Sequence, residues 1–405
     1  MSADTIEIPQ FPMSRECPFD PPHKYDEFRE AGGPQKVRLW NGDQCWIFTD
    51  FEDVRAVMAD NRFSSAPTSP GFPMLSAARS AVLTERPAFI RMDPPAHGPL
   101  RRMFTREFMI KRVDTMRPRI EALINELYDA LEAAGPEAEF VSEFALPLTS
   151  TVISEFLGVP AADRAFFQEQ SRLKMLMDVD PSIPREASAR LVAYFDELLR
   201  EKERDPHASD DLLSRLVINQ VEPGHLSHED AVIHADLLTM AGHETTANQI
   251  ALGILSFLQN PDQKALLGAD PSLLRSAVDE MLRYHSIVQY NAPRVAMEDI
   301  EINGHLIRKG EGVFALVAAA NRDPAVFACP NKFDITRMPD NHLAFSYGVH
   351  QCLGQPLARA ELQSVFGTIF QRFPDLRLAI PFEDVQFKSD HFVYGVEALP
   401  LALRV

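Results

Sequence analysis

The sequence predicts a mainly α-helical protein with a small β portion, folded as a single domain over residues 1–405. Three observations predict this class. Helical spacing of apolar residues recurs through the middle of the chain, short strand-like runs lie toward its two ends, and no linker, repeat or low-complexity tract divides it. Hydrophobic residues make up 45% of the chain, which is enough for a large core.

The N-terminal part is predicted to consist of a proline-rich arm, a hairpin and a long loop. Residues 1 to about 35 form a proline-rich arm, and Asn41-Gly42 then separates two strand-like runs, Val37–Trp40 and Cys45–Thr49, which predict a hairpin. Between Ser65 and Pro95 the chain has six prolines and little periodicity. This segment predicts a long loop, and loops of that length in a compact domain are usually functional or mobile.

The middle of the chain is predicted to be helical. One helix carries apolar residues on a single face and ends at Gly135-Pro136. The residues of that face are Ile120, Leu123, Ile124, Leu127 and Leu131. Further helices are predicted over residues 147–157, 163–176, 185–204 and 210–219.

A longer helix follows, and short strands come after it. Ser227 with Asp230 resembles a capping box, and apolar spacing then continues to Asn260-Pro261. This predicts a helix of roughly 33 residues, which is roughly 50 Å long. Short strands are predicted between residues 294 and 319 and again after residue 375.

Composition limits the partners of the protein. The formal net charge of −18 argues against nucleic acid and against an anionic membrane surface. The start, MSADTIEIPQ, has no basic region followed by an apolar run, so neither a signal peptide nor a membrane anchor is predicted. The four cysteines are sparse and irregularly spaced, as in a reducing cytosol. We therefore expect a cytoplasmic protein.

The strongest chemical signal is the segment FSYGVHQCLG at residues 345–354. Cys352 is flanked by glycines, and His350 precedes it by two positions. Gly348 can adopt a backbone conformation that other residues avoid, which lets the loop turn tightly under a flat ligand. The sequence therefore predicts a ligand-binding loop around Cys352.

A helical pattern follows this loop, from Gln355-Pro356 to about Phe373. Cys352 would then lie at a helix N-terminus, where partial positive charge stabilises a thiolate. Two other interpretations stay open. Cys352 could be a small buried hydrophobic residue, or it could share a metal site with His350, although no paired zinc-ligand motif accompanies them.

The segment resembles the haem-binding loop of the cytochrome P-450 family, F-x-x-G-x-H/R-x-C-x-G. The matching positions are Phe345, Gly348, His350, Cys352 and Gly354. The resemblance implies the family's fold around a buried haem b, with Cys352 as the iron ligand. A thiolate ligand is what a haem iron needs if the O–O bond of dioxygen is to be cleaved.

The centre of the long helix reads AGHETT, Ala241–Thr246. Glycine and two threonines are poor helix formers and cost together about 2 kcal/mol relative to alanine. They could mark a kink or a helix-packing notch. The stretch also resembles the family's oxygen-activation motif, in which Gly242 lets dioxygen lie against the helix, Thr245 hydrogen-bonds the bound oxygen and Glu244 helps relay protons.

Glu280 and Arg283 resemble the family's E-x-x-R pair, with Arg337 as the expected third member and a structural role for all three. The spacing alone is a weak signal. The same spacing occurs at Glu52/Arg55, Glu197/Arg200 and Glu201/Arg204, and most such pairs are solvated ion pairs on a helix surface.

His97 and Arg101 resemble the family's H-x-x-x-R motif for the haem propionates. An imidazole and a guanidinium four residues apart share a helix face and can bind carboxylates there. Arg294 and His350 are the other propionate candidates. The alternative for each is a surface cation.

The resemblance also implies a substrate pocket, whose residues are equally well explained as core. Hydrophobic walls with few polar groups suit a medium or large apolar substrate. The expected lining residues are Phe89, Leu237, Leu238, Ala241, Val288, Asn291 and Phe392.

These features favour a monooxygenase that hydroxylates an apolar substrate such as a secondary metabolite, a steroid-like compound or a xenobiotic with O2. We expect its electrons to come from a separate ferredoxin or similar protein with its reductase. A nitric oxide reductase that uses NADH directly is the second hypothesis, and a haem-based ligand sensor is the third. The segment Ser64–Ser69 has no Lys or Arg to bind NADH, and Glu244 and Thr245 are present, so oxygen chemistry is favoured.

A basic cluster is predicted on the cysteine side of the haem, where it could attract an acidic ferredoxin. The alternative is a set of scattered surface charges. The cluster consists of Arg101, Arg102, Arg106, Lys111, Arg112 and Arg359.

Overall fold

The computed structural model describes residues 8–83, 87–290, 292–389 and 391–404. Most of these residues are helical, as predicted. Helices α1 to α15 are Lys24–Ala31, Phe51–Ala59, Ala77–Leu83, His97–Thr105, Ile110–Ala134, Leu146–Leu157, Arg164–Met175, Ser182–Arg204, Leu212–Leu216, His228–Gln259, Pro261–Ala269, Leu274–His285, Val317–Ala320, Gln355–Phe366 and Ile369–Arg372.

The strands are short and form three small sheets. Strands β1 to β10 are Gln35–Arg38, Gln44–Phe48, Phe63–Ser64, Glu137–Glu139, Pro293–Ala296, Ile300–Ile302, His305–Ile307, Gly312–Ala315, Arg377–Leu378 and Pro400–Ala402. The largest sheet has the order β1-β2-β8-β5-β3, and β4-β10-β9 and β6-β7 form the other two. The predicted N-terminal hairpin is confirmed, because β1 and β2 pair antiparallel with Val37 opposite Cys45.

Helix α10 is the central element of the fold. It begins at the predicted cap, where the Ser227 hydroxyl accepts a hydrogen bond from the Asp230 N–H at 3.0 Å, and it ends before Asn260. Helices α6, α8 and α14 pack against it. Most of its residues are buried, as expected of a helix with apolar residues on all sides. The mainly helical fold class is therefore confirmed.

Two local predictions are wrong, for identifiable reasons. The segment between Ser65 and Pro95 contains α3 and a short 3₁₀ turn, because its prolines flank the run AARSAVL and do not interrupt it. The helix after Cys352 does not continue unbroken to Phe373. It is interrupted after Phe366, where the Thr368 hydroxyl donates to the Ser364 carbonyl at 2.9 Å in competition with helical bonding. Helix α15 then continues the predicted helical pattern to Arg372.

The other elements lie close to their predicted places. Helix α5 ends at Gly135, and α6, α7 and α8 cover the predicted helical ranges to within a few residues. The predicted helix over 210–219 is α9 followed by a turn of π-helix. Within the described ranges, no helix combines the length and the apolar character needed to cross a membrane.

Glu361 on α14 is a carboxyl group inside the core. Its side chain is 1% exposed, and its Oε2 atom has no hydrogen-bond partner among the described residues. Burial raises the pKa of this carboxyl well above its usual range. The folded state therefore holds the proton more tightly than the unfolded state. The resulting stabilisation is complete below the unfolded pKa of about 4.3 and is lost as the pH rises toward the folded pKa.

We predict that Glu361→Gln removes this part of the pH dependence. Above about pH 4.3, the free energy of unfolding of the parent should fall relative to the variant by up to about 1.4 kcal/mol per pH unit. Urea unfolding of both proteins between about pH 5 and 9 measures the difference. Glu222→Gln, at an exposed glutamate, is the control. Parallel pH profiles for Glu361→Gln and the parent would contradict the prediction.

Candidate active site

The loop before α14 is held in a tight turn. The Cys352 N–H donates to the Phe345 carbonyl at 2.8 Å, which closes the loop. Gly348 has a φ of +71°, the conformation predicted for it. A Cβ atom at this position would lie 2.7 Å from the carbonyl oxygen of Met58, so glycine is required for contact as well as for conformation.

The Cys352 sulfur borders a space inside the protein. The residue is exposed, yet burial within the fold raises the pKa of its thiol. The backbone N–H of Gly354, the guanidinium of Arg101 and the backbone N–H of Gln355 act in the opposite direction. Since α14 begins at Gln355 as predicted, the sulfur lies at a helix N-terminus among groups that stabilise a thiolate.

The AGHETT stretch also borders an internal space. Ala241 is exposed and Thr245 is half-buried, although α10 is the central helix and the residues around them are buried. The Thr245 hydroxyl donates to the Ala241 carbonyl at 2.7 Å. The donated hydrogen fixes the hydroxyl in place and leaves its oxygen lone pairs available to accept a hydrogen bond.

Gly242 has a packing role. A Cβ atom here would lie 2.7 Å from Cδ1 and 2.8 Å from Cγ1 of Ile153, on α6. The side chain of Ile153 is 1% exposed and has little room to move. The geometry therefore favours the packing notch over a direct contact of Gly242 with oxygen.

Glu244 lies beside a cation from the far end of the chain. Its Oε1 atom is 3.8 Å from Nζ of Lys388, and both side chains are nearly buried. Burial raises the pKa of the Glu244 carboxyl, while Lys388 and Arg172 lower it and Glu397 raises it. A raised pKa lets a carboxyl group exchange protons closer to neutral pH. No local sequence pattern indicated Lys388, which is remote from Glu244 along the chain.

Two predicted propionate ligands lie together. The rings of His97 and His350 have centroids 4.4 Å apart, and Nε2 of His350 is 3.2 Å from the Ser65 hydroxyl. Nε2 of His97 and Nδ1 of His350 are buried without a partner among the described residues. Burial lowers the pKa of both imidazoles, and that of His350 to about 3, with Arg294 the largest charge contribution. Both rings are therefore neutral at pH 7.

Three arginines complete this cluster. Arg294 is 4% exposed, and burial lowers its pKa to about 10 despite nearby Asp93. Arg101 donates to the backbone carbonyl of Gln351 beside Cys352. Arg91 was not predicted. It is partly exposed, yet burial lowers its pKa to about 9, so it borders an internal space as Cys352 does. Such a group of cations suits a ligand with carboxylate groups.

Glu280 and Arg283 form a fully buried ion pair, with both side chains 0% exposed. Two hydrogen bonds, of 2.7 and 2.9 Å, join the guanidinium to the carboxylate. Arg337 lies 3.3 Å from Glu280, so the three predicted residues meet. Arg283 also donates to backbone carbonyls of residues 321 and 330 at 2.8 and 2.9 Å. The cluster ties α12 to the segment before the Cys352 loop.

The predicted pocket residues divide into two groups. Phe89 lies in the core, stacked 5.2 Å from the His234 ring and 5.6 Å from Phe104. Leu237 and Leu238 are also buried, at 9% and 6% exposure. Phe89 is therefore explained as a core residue and not as part of the pocket lining.

The remaining pocket residues are more open. Ala241 is exposed, and Val288 and Phe392 are half-buried. The last two lie on adjacent segments, because the N–H of Gln289 donates to the Phe392 carbonyl at 3.2 Å. Asn291, also predicted to line the pocket, lies outside the described residues.

Comparison with known proteins agrees with this arrangement. The model of the cytochrome P-450 family matches residues 12–268 and 269–390. The chain is 45% identical to cytochrome P-450-SU2 of Streptomyces griseolus, over 95% of this chain and 94% of the relative. It is 42% identical to vitamin D3 dihydroxylase of the same organism, over 98% and 97%.

Among solved structures, the mycinamicin VIII C21 methyl hydroxylase of Micromonospora griseorubida, bound to mycinamicin VIII, superposes with a TM-score of 0.92. It is 38% identical, over 97% of this chain and 100% of that chain. The chain belongs to the cytochrome P-450 family. It has that family's fold, and it is an oxidoreductase of the P-450 type whose cofactor is haem b.

The residues present fit haem b. Cys352 offers a sulfur at the edge of an internal space. The arginines around His350 suit the two propionate groups of a haem. Nε2 of His97 and Nδ1 of His350 have no partner among the described residues and can bind these groups as well. Gly348 keeps the loop close enough to Met58 to leave no room for a side chain between them.

We predict that Gly348→Ala destabilises the protein and lowers its haem content. The left-handed φ costs about 1–2 kcal/mol for any residue with a Cβ, and the contact with Met58 adds to this cost. Gly304→Ala is the matched control, because Gly304 has a φ of +80° but no atom within 4 Å of a Cβ. Haem-to-protein ratio and urea unfolding measure the effects. Equal losses in the two variants would mean that the contact has no influence.

Proposed function

We propose that the protein is a haem-thiolate monooxygenase that inserts one oxygen atom from O2 into a medium or large apolar organic substrate. The observation that carries this proposal is the placement of the Cys352 sulfur at an internal space, among thiolate-stabilising groups. A haem bound to a cysteine thiolate supplies dioxygen activation, because the thiolate pushes electron density that favours O–O cleavage.

Cys352 would hold the iron, and the cation cluster would hold the propionates. His97, Arg101, Arg294 and His350 are the predicted propionate ligands, and the structure brings Arg91 to the same cluster. The neutral imidazoles can donate hydrogen bonds to carboxylates, while the arginines supply the charge. Residues Phe345 and Gly354 would shape the loop around Cys352.

Glu244 would carry protons toward the pocket, and the Thr245 hydroxyl oxygen would accept a hydrogen bond there. The Thr245 hydroxyl is fixed by the Ala241 carbonyl and borders an internal space. Glu244 is buried near Lys388, and burial raises the pKa of its carboxyl, which suits a group that exchanges protons closer to neutral pH than an exposed carboxyl does. Glu244 and Thr245 thus combine a proton carrier with a positioned hydroxyl.

The substrate would be apolar and sizeable. Two of the relatives are named for hydroxylating vitamin D3 and mycinamicin VIII. Ala241, Val288 and Phe392 are the predicted pocket residues that remain accessible. An apolar lining of this kind recognises shape and size more than hydrogen-bonding groups.

Electrons would come from a ferredoxin or a similar protein in the cytoplasm. Of the predicted basic cluster, Arg102, Arg106 and Lys111 are exposed. Arg112 lies 3.5 Å from Asp210, and Arg359 is bound by Asp279, so these two are less available to a partner than predicted. The remaining patch would attract an acidic partner at low salt and lose strength above about 0.1 M ionic strength.

The nitric oxide reductase hypothesis differs from the monooxygenase hypothesis in its electron source, which is NADH and not a protein. Direct use of NADH would need cations at the distal entry, and the expected entry segment, Ser64–Ser69, has no Lys or Arg. NADH without a protein partner should therefore fail to reduce the nitrosyl-bound ferric protein in a stopped-flow experiment. Rapid and saturable reduction would replace the monooxygenase assignment by the reductase.

We predict that Thr245→Ala uncouples electron use from oxygenation. The variant should consume reducing equivalents but release mainly hydrogen peroxide, because the fixed hydroxyl no longer directs protons. Thr239→Ala is the matched control, since the buried Thr239 hydroxyl donates to the Ala235 carbonyl in the same way at 2.9 Å. Product labelled from ¹⁸O₂ and peroxide are measured against NADH consumed through a ferredoxin system. Unchanged coupling in Thr245→Ala would remove the role proposed for this hydroxyl.

A further inference from the structure

Arg79 is a cation inside the protein without an acidic partner. It lies on α3 and is 4% exposed. Its Nη1 atom donates to the Lys174 carbonyl at 3.3 Å and lies 3.9 Å from the sulfur of Met175. The centre of its guanidinium lies 5.0 Å from the Phe392 ring, and Nε has no hydrogen-bond partner among the described residues. Within the described ranges it forms no ion pair.

The acidic side chain that pairs with Lys174, whose carbonyl accepts from Arg79, is already neutralised. Asp236 on α10 pairs with the ammonium group of Lys174, and the two side chains are 9% and 7% exposed. Such a buried pair carries no net charge and supplies none to Arg79. A buried guanidinium is costly unless an anion meets it.

Arg91 is a second cation, close to both Arg79 and the propionate cluster. Burial and the charges of Arg294 and Arg79 lower the pKa of Arg91 to about 9, so its guanidinium lies within reach of both charges. Arg91 is partly exposed at the internal space, and its backbone N–H donates to the Ala88 carbonyl at 2.8 Å. Arg91 is therefore the accessible member of the Arg79–Arg91 pair, and Arg79 lies deeper, beside Phe392.

The charges can be counted. Arg79, Arg91, Arg101 and Arg294 carry four positive charges, and Asp93 is the carboxylate whose charge acts on Arg294. Under the proposed function, the two propionates of haem b add two negative charges. One positive charge remains uncompensated, and Arg79, beside Phe392, has no acidic partner among the described residues.

We propose that Arg79 and Arg91 bind a carboxylate on the substrate, whose apolar body lies against Phe392 and the accessible face of α10. This inference rests on the proposed function and narrows its substrate class to apolar molecules that carry a carboxylate. Nη1 of Arg79 is used by the protein, which leaves its Nε side for the ligand, and guanidinium groups bind carboxylates in fixed paired geometry.

The test compares carboxylates with neutral molecules of the same shape. The probes are dodecanoate with dodecanamide, and 4-cyclohexylbenzoate with 4-cyclohexylbenzamide, titrated into the haem-loaded protein. Calorimetry measures affinity, and the spin-state shift of the haem reports whether the ligand reaches the iron side of the pocket. We expect at least one carboxylate to bind about tenfold more tightly than its amide, a difference of about 1.4 kcal/mol.

Variants then test whether Arg79 supplies the positive charge that binds the carboxylate. Arg79→Gln should weaken carboxylate binding by about tenfold and change amide binding by less than about threefold, while Arg79→Lys should retain part of the preference. Arg190→Gln, at an exposed arginine on α8 near Glu186, is the matched control. Retained amide binding shows that the Arg79→Gln pocket is intact.

Three results would overturn the inference. These are equal affinity for carboxylate and amide, no carboxylate binding up to about 1 mM, and NADH binding that Arg79→Gln abolishes. The ferrous–CO spectrum of the same preparations keeps the two proposals distinct. A thiolate-type spectrum without a preference for carboxylates would contradict carboxylate binding by Arg79 and Arg91 alone. A preference for carboxylates without that spectrum would contradict the monooxygenase function alone.

Discussion

The buried pair of Glu280 and Arg283 is the interaction on which the active-site loop depends. Removing one partner of such a pair typically costs about 3–5 kcal/mol, because the other charge is left buried alone. Arg283 also holds the Asn321 carbonyl, and the Asn321 side chain accepts a hydrogen bond from the Leu343 N–H at 2.8 Å. Leu343 lies two residues before Phe345, where the loop that carries Cys352 begins, and its carbonyl accepts from the Ser346 N–H at 2.7 Å. The pair is therefore connected to this loop through a short series of hydrogen bonds.

Charge is distributed unevenly between the surface and the interior. The whole chain has a net charge of −18, yet the interior concentrates arginines around His350 and toward Phe392. Burying these guanidiniums is unfavourable by itself, so bound anions complete the structure. On this account haem b supplies two of the negative charges and a substrate carboxylate supplies another. The same arrangement explains why loading with haem should stabilise the folded protein.

Local signals in the sequence predicted local structure well. The Ser227 cap, the hairpin at β1 and β2, and the left-handed Gly348 each follow from short-range chemistry. Contacts distant in sequence could not be predicted in this way. Five E-x-x-R pairs share one spacing, Glu169 with Arg172 among them, and burial alone distinguishes Glu280 with Arg283 from the exposed pairs. Ile153 facing Gly242, and the arginines that converge beyond the propionate cluster, depend equally on tertiary packing.

The ferrous–CO absorption spectrum shows whether Cys352 binds the haem iron as a thiolate. The haem-loaded parent should show the red-shifted Soret band that thiolate ligation produces, and Cys352→His should bind haem but lose that band. Cys329→Ser, at another exposed cysteine, is the control and should keep the band. Retention of the red-shifted band in Cys352→His would show that a different residue holds the iron and would contradict the account.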